Sequence, residues 1–106
     1  MTQPNVISLS QFREFDLKRL VSILLHDSEN CRVVLFCLEA GQELAPHESS
    51  SEVILYVVGG KGLISVGDDE VEVAPEIIVV CPPMQPHGIK AGERTTVLAV
   101  ITPRPE

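Results

Sequence analysis

Aromatic side chains are scarce in this sequence of 106 residues, which has no Trp, one Tyr and three Phe. An aromatic-rich interior is therefore excluded, and the core has to be built from Val, Ile and Leu, which pack well on pleated strands. The hydrophobic fraction of 44% is too high for a disordered chain. A chain of this length makes one domain and buries roughly two-thirds of its unfolded surface.

Positive charge is also scarce, with eight Lys and Arg against fifteen Asp and Glu and a net charge of −7. Only Lys18 and Arg19 are adjacent cations. A nucleic-acid surface needs clustered positive charge to displace counterions from phosphates, and an anionic membrane surface attracts similar clusters. We therefore expect a protein that binds neither nucleic acid nor membrane.

Long apolar runs and a leader pattern are missing as well. No run approaches the roughly 20 residues of a membrane span, and residues 1–10 lack the basic start and apolar stretch of a signal peptide. The cysteines Cys31, Cys37 and Cys81 are odd in number, and two of them lie in apolar runs. That pattern is typical of buried free thiols in a reducing compartment. We expect a soluble cytoplasmic protein.

The sequence also lacks several widespread catalytic patterns. It contains no Gly-x-Ser-x-Gly, no phosphate loop and no dinucleotide-binding glycine pattern. The glycines at 59, 60 and 62 flank a lysine, but no helix is predicted after them, so they are interpreted as a turn between strands.

Short apolar runs separated by turn residues are what the sequence does contain. Their period of two and their regular spacing predict an all-β sandwich or barrel of about nine or ten strands with little or no helix. We predict a single domain over residues 1–106, with an arm at 1–19, a barrel at about 20–101 and a tail at 102–106. A helix is the alternative for Gln11–Leu25, but its apolar spacing breaks near Asp16, which favours a loop followed by a strand.

Two of the predicted strands are apolar on both faces, namely residues 33–38 and 77–81. A barrel strand with one face in water normally alternates between apolar and polar residues, so these strands need a cover on their outer face. A second subunit is the simplest cover and predicts a homodimer. The alternative is that the N-terminal segment folds back over them.

One segment carries a recognisable motif. Gly41 stands six positions before His47, and six residues separate Glu52 from Gly59. Here the sequence resembles the cupin family, whose first motif has a Gly, five residues, a His, a second His two positions on, a Glu after three or four more residues, then six residues and a Gly. Ser49 stands at the position of the second His.

A second motif follows a predicted hairpin at about residues 61–75. Pro82 and His87 match the cupin pattern Pro-x-Gly-x-x-His, while Glu76 and Met84 replace the two glycines of this motif. The resemblance covers about residues 32–101. It implies a small double-stranded β-helix, or jelly-roll, barrel that binds a small-molecule ligand.

The resemblance also implies a metal site. His47, Glu52 and His87 would supply two imidazoles and one carboxylate, a donor set that suits Fe, Mn, Ni or Zn. Taken alone, His47 could be an exposed loop residue and Glu52 a solvated residue at the start of a strand.

Strand alternation predicts the lining of the chamber. If Glu52 points inward, Ile54 and Tyr56 share its face, because side chains two positions apart project to the same side of a strand. We expect these residues to line the pocket together with Ser49, Cys81 and Met84, although Cys81 could equally be an inert buried thiol. A shift of parity by one position would exchange each strand residue for its neighbour.

Function remains divided between two hypotheses. One is a metal-dependent enzyme of the oxygenase or isomerase type, and the other is a non-catalytic binding or sensing module with a degenerate or empty metal site. The replaced second His shifts weight towards the binding module, and an interaction protein with a closed chamber is a third class.

Overall fold

The chain folds into two antiparallel sheets that face each other across an aliphatic core. The structure is a computed structural model that describes residues 5–105, so residues 1–4 of the predicted arm and Glu106 of the predicted tail lie outside the described residues. The strands are β1 (Val21–Asp27), β2 (Arg32–Leu38), β3 (Glu43–His47), β4 (Glu52–Gly59), β5 (Gly62–Val66), β6 (Asp69–Val73), β7 (Ile78–Cys81), β8 (His87–Ala91) and β9 (Thr95–Thr102). They confirm the predicted all-β fold of nine or ten strands.

The strand order is that of a jelly roll. One sheet has the order β1-β2-β9-β4-β7, and the other has the order β3-β8-β5-β6. Chain neighbours such as β2 and β3, or β8 and β9, lie in different sheets, so the chain crosses the barrel repeatedly. Within the described residues the only helical segment is a 3₁₀ turn at Leu9–Gln11, and Gln11–Leu25 is a loop followed by β1, as predicted.

The core lies between the inner faces of the two sheets. Alternate residues of β4, namely Val53, Leu55 and Val57, are buried at 3% exposure or less, and their neighbours on the strand are not. Ile64 of β5 and Ile89 of β8 face them from the other sheet at 2% or less. The scarcity of aromatic residues thus leads to a core of aliphatic side chains, as the composition predicts.

Glycines make two of the turns possible. Gly67, with φ of +59°, is the first central residue of the two-residue turn between β5 and β6, where a type II′ hairpin requires positive φ. Gly60, with φ of +88°, follows β4, and a Cβ atom there would overlap the backbone of Arg94 and Thr95. The β8–β9 connection therefore packs against Gly60 at backbone distance.

The N-terminal arm is attached to the barrel by polar contacts. The guanidinium of Arg94 lies 4.4 Å from the ring centroid of Phe15 and forms two 2.8 Å hydrogen bonds to the carboxylate of Glu39. This bidentate contact lowers the pKa of Glu39. The amide of Gln42 donates to the carbonyl of Asp16 at 2.7 Å.

The three cysteines are free, and two of them, Cys37 and Cys81, are buried. Burial raises the pKa of the Cys81 thiol, which keeps it protonated and unreactive. Within residues 5–105, no helix has both the length and the apolar character needed to cross a membrane.

Replacement of Gly60 by Ala should lower the free energy of unfolding by at least about 2 kcal/mol, because it adds a backbone overlap to the strain of positive φ. Gly41→Ala is the matched control, since Gly41 also has positive φ but open space around it. That control should lose only about 1 kcal/mol in urea unfolding. Equal losses for the two variants would contradict the close packing at Gly60.

Candidate functional site

A β-bulge in β3 brings the two motif histidines together. In the pairing of β3 with β8, Leu44 lies opposite Ile89 and His47 lies opposite His87. The register therefore advances three residues on β3 for two on β8, so one extra residue is accommodated between Leu44 and His47. Without the bulge, Pro46 would lie opposite His87. Proline is tolerated here because β3 is an edge strand.

The two imidazole rings lie against each other at one end of the barrel. Their centroids are 4.5 Å apart, and their planes are inclined by 54°. The Nδ1 atom of His47 lies 3.3 Å from the carbonyl oxygen of Ala45, and that of His87 lies 3.3 Å from the carbonyl oxygen of Gln85. A carbonyl oxygen only accepts, so each Nδ1 carries the hydrogen. In the neutral rings each Nε2 is then left with a free lone pair.

His87 is the more enclosed member of the pair, at 4% exposure, while His47 is exposed. Burial lowers the pKa of His87, and a charge on the neighbouring His47 lowers it further, while the hydrogen bond to Gln85 acts in the opposite direction. His87 is therefore expected to be neutral near pH 7 and able to accept a hydrogen bond.

The histidines lie in the wall of a small pocket with a volume of about 270 Å³. This is just below the usual range for drug-sized ligands, so the pocket suits a smaller molecule. The other walls are mainly aliphatic or aromatic, with polar groups near the histidines. The lining residues are Arg32, Phe36, Leu44, His47, Glu48, Ser49, Val53, Leu55, His87, Ala99, Ile101 and Pro105.

The side-chain parity of β4 is opposite to the expectation. Ser51, Val53 and Leu55 are buried, so Glu52 lies on the other face of the strand and is exposed. Ser51 is held on the same inner side, where its hydroxyl donates a 2.6 Å hydrogen bond to the carbonyl of Pro103. Counted from Ser49 with three intervening residues, the family's carboxylate position is therefore Val53.

Placing the motif by the inward residues also identifies its glycine. After six residues that follow Val53 the chain reaches Gly60, which has the positive φ that favours glycine. The frame then reads Gly41, His47, Ser49, Val53 and Gly60. The residues predicted for these last two motif positions, Glu52 and Gly59, each stand one position before them.

The remaining predicted pocket residues separate into three groups. Ser49 lines the pocket. Ile54 and Tyr56 lie on the outer face of β4 with Glu52, because the parity is shifted by one. Cys81 is buried in the main core, away from the pocket lining, and Met84 is 58% exposed, although its backbone N–H donates to the carbonyl of Ser49 at 2.7 Å. Met84 thus connects the two loops at the pocket without lining it.

The donors at this site do not fit a resident metal ion. A protein-bound transition metal of the family's kind needs at least three protein ligands. Across residues 5–105 no three His, Cys, Asp or Glu side chains lie close enough together to hold one. The inward positions offer two imidazoles, the Ser49 hydroxyl and the aliphatic Val53.

Two residues that line the pocket were not predicted from the sequence. Arg32 lines the mouth, and its alternation with Val34 and Phe36 on β2 was a signal that could have identified it. Pro105 of the predicted tail also lines the pocket. Residues 103 and 104 are held by Ser51 and by an ion pair from Arg104 to Asp27 at 2.8 Å.

Comparison with known proteins gives a consistent family assignment. The family model described as the cupin domain matches residues 34–102. An RmlC-like cupin protein from Desulfovibrio desulfuricans is 33% identical, with 98% of each chain covered and a TM-score of 0.83. The protein TT1209 from Thermus thermophilus is 25% identical, with 94% of this chain and 98% of that chain covered and a TM-score of 0.88.

A more distant structure has the same fold. KdgF from Halomonas sp. is 22% identical, with 80% of this chain and 81% of that chain covered and a TM-score of 0.75. No curated protein matched this sequence. The fold of these proteins is compatible with small-molecule binding.

The lowered pKa of His87 predicts a loss of stability in acid. The unfolded chain binds the proton of residue 87 near the ordinary pKa of 6.5, and the folded chain binds it only at lower pH. The free energy of unfolding should therefore fall as the pH drops through about 6.5. Urea unfolding between about pH 7.5 and about pH 5 should show a weaker fall in His87→Gln than in the wild type or in His26→Gln. Identical slopes in all three proteins would contradict the assignment.

Proposed function

Because the chain belongs to the cupin family, we propose that it binds a small organic molecule directly through side chains of the pocket at His47 and His87, without a resident metal ion. The observation that carries this proposal is the pair of imidazoles with backbone-fixed Nδ1 atoms inside an otherwise largely apolar pocket. Ligand pockets typically combine apolar walls with a few oriented polar groups of this kind.

Direct binding is favoured over metal-mediated binding by the residues at the motif positions. Ser49 and Val53 stand where the family has a second His and a Glu, so two of the four usual ligands are replaced. The metal-dependent oxygenase or isomerase type of chemistry is the competing hypothesis. It would require His47, His87 and a carboxylate to meet, whereas Glu52 faces away from the pocket and Glu48 is exposed at its mouth.

The test is a fragment screen on chelator-treated protein, followed by ¹H–¹³C spectra of the His rings and aliphatic methyl groups. We expect small fragments that shift the resonances of His87, Val53 and Leu55 without added metal, and that lose binding in Val53→Phe, which fills the pocket. Fragments that bind only after addition of Fe²⁺, Mn²⁺, Ni²⁺ or Zn²⁺ would overturn the proposal. A screen with no fragment at these residues would overturn it too.

A gain-of-function variant supplies the matched control for metal. Ser49→His combined with Val53→Glu restores the family's donors on the inward face, and we expect Zn²⁺ to raise its Tm, because a buried carboxylate is stabilised by a cation. Ser49→His combined with Glu52→Asp keeps the carboxylate of position 52 on the outer face and leaves Val53 in place, so it should show no such rise. Stoichiometric metal in the wild-type protein, lost in both His47→Ala and His87→Ala, would support the metal hypothesis instead.

We also propose that the protein is a homodimer that pairs through the outer face of the larger sheet. The pairing of the strands places apolar side chains in one row across that face. Part of this row is already buried within the monomer. Leu35 in this row is fully buried, whereas Ile78 at the far edge is 59% exposed. The row consists of Ile23, Leu35, Leu98, Tyr56 and Ile78.

The exposed part of this face lies on β7, where Val80 is 53% exposed beside Ile78. Exposed apolar area of this kind is typical of a surface that another protein covers. Static light scattering should give about twice the monomer mass of 11.6 kDa. Val80→Glu should shift the mass towards the monomer, and Leu17→Glu, at an exposed apolar residue of the arm, should not. A wild-type monomer at micromolar concentration would refute the dimer.

A further inference from the structure

The residues that line the pocket do not share the negative charge of the protein as a whole. The chain has a net charge of −7, yet its pocket is lined by one permanent cation, Arg32, and by two imidazoles, with Glu48 as the single acidic side chain among the lining residues described. A permanent cation at the mouth can attract an anionic group of a ligand, because complementary charges steer a ligand to its site.

Arg32 is positioned by the sheet. It begins β2 and shares the inward face with Val34 and Phe36, and its register partner on β9 is Ile101. Ile101 in turn lies opposite Val53 on β4. Arg32 therefore lies in one cross-strand row with Ile101 and Val53, which also line the pocket. Its side chain is 31% exposed at the mouth.

The hydrogen-bonding capacity of Arg32 is largely unused. Its Nε donates to the Oδ1 atom of Asp27 over a long 3.4 Å. Arg104 holds the same carboxylate more closely, with Nε to Oδ1 at 2.8 Å and Nη2 to Oδ2 at 3.2 Å. Within residues 5–105, the two terminal nitrogens of Arg32 make no hydrogen bond. These nitrogens form the planar fork that binds carboxylates in a bidentate manner.

We propose that the pocket selects small monocarboxylic acids with an apolar body, and that Arg32 is the residue that determines this specificity by binding the ligand carboxylate at the mouth. The apolar body would lie against Phe36, Val53 and Leu55, and the pocket volume of about 270 Å³ limits its size. This inference rests on the proposed function, because it names the ligand class of the same pocket.

The test compares cyclopentanecarboxylate with cyclopentanecarboxamide, which have nearly the same shape and differ in charge. Titrations followed by ¹H–¹³C spectra at constant ionic strength should give a Kd for the carboxylate that is roughly tenfold or more below that of the amide. Arg32→Gln should abolish this preference. Lys61→Gln removes a positive charge at an exposed site outside the pocket lining and should leave the preference intact.

Asp27→Asn separates recognition by Arg32 from a structural role. Asp27 competes with the ligand for the guanidinium, so removing its charge should tighten carboxylate binding while amide binding stays unchanged. A purely structural Arg32 would give no gain in this variant. Equal Kd values for carboxylate and amide in the wild type would overturn the inference and leave the proposed function standing. If neither probe shifts His87, Val53 or Leu55, and the fragment screen also finds nothing there, the proposed function fails with it.

Discussion

The pocket depends on one irregularity, the bulge in β3 that carries His47 into register with His87. A regular β3 would present Pro46 to the pocket side and turn His47 to the other face, because side chains alternate along a strand. The bulge therefore decides whether this barrel end contains one imidazole or two. The proposed binding through two imidazoles depends on that pairing, and the Nδ1 atom of each ring is fixed by a backbone carbonyl.

The fold and the pocket are held by different forces. The barrel is held by aliphatic packing, with Leu55, Val57 and Ile64 at 1% exposure or less. The pocket region depends instead on a few polar attachments, such as Ser51 to Pro103 and Met84 to Ser49. A hydrogen bond contributes only about 1 kcal/mol net, so these attachments set geometry more than they set stability. The residues that define binding can thus change while the barrel persists.

The fold could be predicted from the sequence because it depends on the order of apolar runs and turns, which survives substitutions. Even the family's second-motif glycines illustrate this, since Glu76 and Met84 replace them and still adopt positive φ of 75° and 68°. The site could be predicted only in part. His47 and His87 were found by spacing, but β4 carries apolar residues on both faces, so its sequence does not decide which face points inward. The contact of Ser51 with Pro103, 52 residues away, is one that no local pattern reveals. Arg32 lies before the motifs, so the family spacing does not point to it, although its alternation with Val34 and Phe36 on β2 does.

The position of β3 at the edge of its sheet gives the pocket walls unequal stiffness. His47 lies on a strand that is paired on one side only, whereas Val53 lies on β4, which is bounded by β7 and β9. Strands with fewer ladder hydrogen bonds open at lower free energy than central ones. One wall can therefore yield outward while the opposite wall keeps its shape. Such a pocket would accommodate ligands of differing bulk by moving a single strand, with the barrel core undisturbed.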